Sequence, residues 1–211
     1  MRVLAVLGGD GIGTASIKAW AAACDMIIAA DSGIHYLEEA SVNPDMIVGD
    51  MDSAINVTGY THEAIHIDHD EDRSDLQKLL NKAGGLGAKE VVLTCIHGGR
   101  MDHFLASFSA AIATEMDIRW VLLREHAVLI RPNFRGTFST GVAKIISLIP
   151  LDGDCVVSTQ GLRWDLGSEL LRVGHHLSLS NVSEHESFSV HVSGGHLVMM
   201  VEQPPNEVPL W

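Results

Sequence analysis

The stretch Gly49-Asp50-Met51-Asp52-Ser53 sets two carboxylates two residues apart, directly after the apolar run Met46 to Val48. On an extended backbone that spacing points both side chains the same way, and Gly49 lets the chain turn sharply enough to aim them outward. Two unit charges about 4 Å apart repel by roughly 4 kcal/mol at an effective dielectric near 20. A divalent cation converts this repulsion into attraction, so the pair has the geometry of a metal clamp. The plainer alternative is a solvated turn in which Asp52 or Ser53 caps a helix.

Further aspartates follow other strand-like runs: Asp31-Ser32-Gly33 after Met26 to Ala30, Asp72 and Asp75 after Ile65 to Ile67, and Asp102 after Val91 to Cys95. One such aspartate reads as an N-cap. Several on one sheet edge suggest a ligand site, because open α/β sheets bind ligands beyond the carboxyl ends of their strands. Between Cys95 and His103 stands Gly98-Gly99-Arg100. Its glycine N–H groups can face an anion, and its guanidinium forks to fit phosphate; a glycine pair is also what any tight turn needs. The chain's twelve histidines include His175, His176, His185, His191 and His196, but no pair recurs with a carboxylate in zinc-like spacing.

These groups need a frame. Through about residue 130, short apolar runs alternate with helical patterns, which predicts an α/β domain with a mostly parallel sheet and flanking helices. Strands are expected at Val3 to Leu7, Met26 to Ala30, Met46 to Val48, Ile65 to Ile67, Val91 to Cys95, Trp120 to Leu123 and Val128 to Ile130. Helices are expected over Ala15 to Ala23 and Ile34 to Glu39, from the capping box Ser74-Asp75-Leu76-Gln77, and from Asp102 to near Glu115. The last should bury Phe104, Leu105, Phe108, Ala111 and Ile112. After Arg131-Pro132-Asn133, β-branched runs separated by Gly, Asp, Asn and Ser predict a small all-β sandwich. The expected domains are therefore 1–131, α/β, and 132–211, sandwich.

Composition narrows the function. With 211 residues, 46% apolar and 19% charged, the chain is globular. Fourteen basic against 27 acidic residues give a net charge of −13, and no basic stripe is present to neutralise nucleic-acid phosphates. No run approaches the roughly 20 apolar residues of a membrane span. Cys24, Cys95 and Cys155 are odd in number and widely spaced, which fits reduced packing residues in a cytoplasm. The first apolar run is too short for a signal peptide and meets Gly8-Gly9-Asp10 at once.

Ala30-Asp31-Ser32-Gly33, then Asn43-Pro44-Asp45-Met46-Ile47-Val48-Gly49-Asp50-Met51-Asp52-Ser53, then Ser74-Asp75-Leu76-Gln77-Lys78, then Gly98-Gly99-Arg100-Met101-Asp102-His103, in this order and spacing, resemble the thiamine pyrophosphokinase family. In the second domain, Gln160-Gly161-Leu162-Arg163-Trp164-Asp165-Leu166 and Leu177-Ser178-Leu179-Ser180-Asn181 extend the resemblance over nearly the whole chain. It implies transfer of pyrophosphate from ATP to thiamine by a homodimer whose sites are shared between chains. Carried over by position, Asp50, Asp52 and Asp75 would hold Mg²⁺ and act in catalysis together with Asp102. Asp31, Ser32, Gly33, Ser53, Gly98, Gly99, Arg100 and His103 would meet the nucleotide, and Trp164, Ser180 and Asn181 the thiamine. Trp164 read alone is more simply an ordinary sandwich-core tryptophan, and the resemblance reverses that reading.

Four positions depart from the family pattern: Glu71 stands where Lys is common, Ser107 where Asn is, Val182 where a polar residue is, and His35 where Asn is usual. Arg73, two residues beyond Glu71, can supply the missing positive charge to the nucleotide or pair with Asp70 or Asp72 in a solvated loop. Two other functions compete. A haloacid-dehalogenase-like phosphatase also has DxD after a strand, but there the first Asp follows the apolar residues directly and the strand is the chain's first; here Gly49 intervenes and the strand is the third. A non-catalytic thiamine- or nucleotide-binding regulator is the other alternative.

Overall fold

The computed structural model describes residues 1–49 and 65–209. The chain divides into two compact units, Met1–Leu123 with Pro205–Val208, and a second built on Arg124–Pro204.

In the first unit, β1 (Arg2–Val6), β2 (Met26–Ala30), β3 (Met46–Gly49), β4 (Ile65–Ile67), β5 (Glu90–Thr94) and β6 (Asp117–Val121) alternate with α1 (Thr14–Ala23), α2 (Ile34–Glu39), α3 (Asp75–Gly85) and α4 (Met101–Ile112). The strands run parallel in the order β4-β3-β2-β1-β5-β6. Strands covered on both faces read as unbroken apolar runs, and Val3, Leu4, Ala5 and Val6 are all fully buried. The order reverses direction at β1. Chain growth passes outward from β1 through β2, β3 and β4, then returns to β1's other side with β5, which makes β1 the switch point beside which open α/β sheets bind ligands.

The helices follow from local chemistry. Ser74 and Gln77 form the reciprocal capping box that starts α3, with the Gln77 N–H donating to Ser74 Oγ at 3.3 Å and the Ser74 N–H to Gln77 Oε1 at 3.0 Å. Leu76, Leu79, Leu80 and Ala83 bury its apolar face. Helix α4 keeps most of the expected face, with Ala111 buried, Phe104, Phe108 and Ile112 half-buried and the Phe108 ring 5.0 Å from that of Trp120, but it is turned away from Leu105. It buries Ser107, Ala110 and Ala111, while Leu105 stays 60% exposed. Trp20 closes the other side of the core, its indole N–H donating to the Pro205 carbonyl at 2.8 Å, which ties residues 205–208 to this unit.

The second unit holds β7 (Glu125–Ile130), β8 (Arg135–Ser139), β9 (Ile145–Asp152), β10 (Asp154–Gln160), β11 (Gly167–Arg172), β12 (Ser178–Val182), β13 (Ser187–Ser193) and β14 (His196–Glu202). They form two antiparallel layers, β12-β9-β14-β7 and β11-β10-β13-β8. Inward-facing alternate residues of both layers, among them Ile146, Leu148, Val157, Phe188, Val190, Leu197 and Met199, make one core.

Two expectations are corrected. Taken over the whole chain the strands are mixed in sense, parallel in the first unit and antiparallel in the second, so "mostly parallel" holds for the first unit alone. The compact units also part at Leu123/Arg124 rather than near residue 132, because β7 pairs along its length with β14, Leu129 opposite Val198 and Ala127 opposite Met200. Strands β8 and β11 were not expected from their sequences, Arg-Gly-Thr-Phe-Ser and Gly-Ser-Glu-Leu-Leu-Arg. They are the two edge strands of one layer, where one flank faces no neighbour and apolar content is not required.

Candidate functional site

A cavity of about 550 Å³ opens at the carboxyl edge of the parallel sheet, lined by the loops after β1, β2 and β5 and the starts of α3 and α4. That volume suits a small-molecule ligand. Its apolar wall is Leu7, Ala30, Leu76, Cys95, Ile96 and Ala106; its polar wall includes Ser32, Ser74, Asp75, Arg100, Asp102, His103 and Ser107, with Gly8, Gly9 and Gly99 between.

Three loops build it by close backbone approach. After β1, the N–H groups of Leu7, Gly9 and Asp10 donate to the carbonyls of Thr94, Cys95 and His97 at 3.1, 2.6 and 2.6 Å, extending the β1/β5 pairing past the strand ends. A Cβ on Gly9 would stand 2.5 Å from the His97 carbonyl oxygen and 2.7 Å from that of Cys95. After β2, the 3₁₀ turn Asp31–Gly33 brings Gly33 so near β1 that a Cβ there would overlap the Val6 carbonyl, and Ser32 Oγ fills the space a side chain on Gly8 would need. After β5, Cys95 takes a left-handed φ of 54° and Gly98 one of 81°. The Asp10 carboxylate sits where a Gly98 Cβ would be. Burial pushes the Cys95 thiol up to about 11, so it lines the cavity as a neutral group.

The charges stand on two helix starts. Asp75 is in the first turn of α3, 3.8 Å from Lys78 Nζ, whose side chain is buried against the helix. Arg100 precedes α4 and forks onto Asp102, Nε to Oδ1 at 3.2 Å and a terminal nitrogen to Oδ2 at 2.6 Å. The His103 N–H also donates to Asp102, at 3.0 Å. Hydrogen bonding from Arg100 is the main reason the Asp102 carboxyl is held down to about 2. It is ionised at neutral pH and a poor proton acceptor while that pairing lasts.

Of the residues expected at the nucleotide, the cavity brings together Ser32, Gly99, Arg100 and His103, and with them Asp75 and Asp102 of the expected metal and catalytic set. Gly33 and Gly98 shape its loops without lining it, and Asp31 opens the 3₁₀ turn. Asp50, Asp52 and Ser53 lie outside the described residues, beyond the end of β3. Arg73 is not among the lining residues; its Nε pairs with Asp70 Oδ2 at 3.1 Å in an exposed turn. Gly8, Gly9 and Ser74 were missed. Gly8-Gly9-Asp10 directly after the first strand was the available signal, read only as the end of an apolar run. Ser107, where the family has Asn, is buried; its hydroxyl accepts from the Trp120 indole at 3.1 Å and donates to the Phe104 carbonyl at 2.6 Å, so it braces α4.

In the second unit, Trp164 is 59% exposed, which removes the core-tryptophan reading. The Arg163 guanidinium lies 5.6 Å from its ring centroid, so the ring face already accepts a cation. Asn181 is buried and pins the turn: its Oδ1 accepts from the N–H groups of Trp164 and Val182 at 3.1 and 2.9 Å, and its Nδ2 donates to the Trp164 carbonyl at 2.8 Å. Asp165 accepts from Thr159 Oγ1 and from the Gly161 and Leu162 N–H groups at 3.0 to 3.1 Å. Ser180 has a φ of 56°, and its N–H donates to Ser147 Oγ at 3.1 Å. Asn181 is therefore fixed as part of the frame that holds Trp164.

Comparison with known proteins agrees across both units. Residues 17–122 match the family model "Thiamin pyrophosphokinase, catalytic domain", and residues 128–197 the model "Thiamin pyrophosphokinase, vitamin B1 binding domain". A thiamine pyrophosphokinase of Arabidopsis thaliana is 28% identical over 177 residues, covering 70% of this chain and 61% of the relative, so the chain spans about three fifths of that plant protein's length. One of Bacillus subtilis is 25% identical over 182 residues, 82% of this chain and 85% of the relative. Among solved structures, thiamine pyrophosphokinase from Bacillus subtilis superposes with a TM-score of 0.83 at 22% identity over 96% of this chain and 99% of the other. The Candida albicans enzyme gives 0.80 at 18% identity over 95% and 88%. At such identities the superpositions speak for the fold alone. Since the two family models together run through both units, the chain belongs to the thiamin pyrophosphokinase family.

Proposed function

We propose that this chain transfers a pyrophosphoryl group from ATP to the hydroxyl of thiamine, giving thiamine diphosphate and AMP. The observation that carries the reading is the cavity at the carboxyl edge of the parallel sheet, where a glycine-rich backbone, the Arg100 fork and the Asp75 carboxylate converge in a chain of this family. A primary alcohol attacks the β-phosphorus in line and AMP departs, so the protein's task is chiefly positioning and charge neutralisation. Gly99 and Arg100 face the phosphates. Asp102, kept ionised by Arg100, orients that guanidinium.

Asp50, Asp52 and Asp75 would hold Mg²⁺. The donor set fits a hard cation, being carboxylate oxygen throughout, and Asp75 is half-exposed on the cavity wall. Bound there, the ion would neutralise phosphate charge. On the second unit, the exposed ring of Trp164 is suited to a cationic or planar heterocycle such as thiamine. We propose a homodimer with sites shared between chains, supported by the exposed apolar side chains Leu177 and Leu179 beside Ser180. The three free cysteines are in keeping with a cytoplasmic protein, and no helix among the described residues is long and apolar enough to cross a membrane.

The test is direct. Purified protein given ATP, Mg²⁺ and thiamine should release AMP in step with thiamine diphosphate. A covalent aspartyl-phosphate with a phosphorylated substrate would restore the phosphatase alternative, and binding of both ligands without AMP release would restore the regulator; family membership favours neither.

A further inference from the structure

The loop after β1 reads Gly8-Gly9-Asp10-Gly11-Ile12-Gly13, four glycines in six residues. Such a segment has little intrinsic reason to hold one conformation. On one side it is held by the Gly9 and Asp10 N–H groups, which donate to the loop after β5. On the other stands Tyr36 of α2. Its hydroxyl donates to the Gly9 carbonyl, and its ring lies so close beneath the loop that a Cβ on Gly11 would be 2.7 Å from Cε1. The Gly9 peptide is thereby clamped from both sides. Through Asp10, whose carboxylate rests on Gly98, the clamp reaches the loop that carries Gly99 and Arg100. Tyr36 itself does not line the cavity.

We propose that Tyr36 is a positioning residue for nucleotide binding: it fixes the Gly8–Gly9 wall against the Gly98–Gly99 loop and so sets the width of the cavity for the phosphate-bearing ligand. The inference rests on the nucleotide reading of that cavity. Loss of the hydroxyl leaves the ring packing and every lining residue in place but frees one side of the loop. The nucleotide must then select the closed arrangement, and its affinity falls by the population lost.

Tyr36→Phe should weaken Mg·ATP binding, measured by calorimetry without thiamine, by about three- to tenfold, the range expected for one such hydrogen bond. In steady state the Michaelis constant for ATP should rise by the same factor, with kcat and the Michaelis constant for thiamine within about twofold of wild type. Gly11→Ala, which pushes the ring from beneath the loop, should reproduce the pattern. Unchanged ATP affinity in Tyr36→Phe overturns the proposal. So does a uniform loss of affinity for both substrates with a lowered unfolding midpoint, which marks a general structural role. If wild type binds ATP but releases no AMP with thiamine, the functional reading fails while the affinity ratio still decides the role of Tyr36.

Discussion

The two units make their candidate binding surfaces by opposite means. In the first, the cavity exists because side chains are missing: Gly8, Gly9, Gly33 and Gly98 let three loops approach until carbonyls, a serine hydroxyl and a carboxylate occupy the places of Cβ atoms. In the second, the turn that presents Trp164 exists because side chains are present, with Asn181 and Asp165 catching backbone groups that no strand partner satisfies. The first surface should therefore fail when atoms are added and the second when they are removed. Charge is a separate layer on the first, carried by the aspartates and Arg100.

Changing that charge without changing volume should give the largest effect. Asp50→Asn or Asp52→Asn should lower turnover by about a hundredfold or more, with an unfolding midpoint equal to or above wild type, since a repulsive carboxylate is removed. Wild-type turnover at saturating ATP in either variant would take the pair out of the mechanism. Next in size is an added methyl group. Gly33→Ala forces a methyl group against the Val6 carbonyl and should destabilise the first unit by about 3 kcal/mol in denaturant unfolding; a loss within about 0.5 kcal/mol would mean the loops are not built by close approach.

Removal is the test for the second unit. Trp164→Ala takes away an exposed ring, so stability should stay within about 0.5 kcal/mol while thiamine affinity drops roughly three- to thirtyfold and ATP affinity holds. Asn181→Ala strips three hydrogen bonds from the same turn and should weaken thiamine binding together with stability, by about 1 to 3 kcal/mol in the latter. If Trp164→Ala destabilises as much as Asn181→Ala, ring and frame are not separable. The smallest effect is expected at Arg73. Exposed and paired with Asp70, it should on replacement by Ala leave ATP kinetics within about twofold of wild type; a tenfold rise in the Michaelis constant would restore it as the substitute for the family's lysine.

Much of this was legible from neighbouring residues. Apolar runs of strand length marked β1 through β5, the Ser74/Gln77 box marked the start of α3, and strand-end aspartates marked the edge of the sheet where the cavity opens, because strand period, capping and turn chemistry act over fewer than ten residues. What only the tertiary structure decided involves partners far apart in the chain. Gly8 and Gly9 join Gly99 in one wall because β1 and β5 are sheet neighbours, Arg73 turns to Asp70 instead of the cavity, and Trp164 lies outside the sandwich core. Helix α4 buries Ser107 in place of Leu105 for the same reason. Periodicity shows that a helix has an apolar side, but the rotation it adopts is set by packing against a sheet assembled from distant segments.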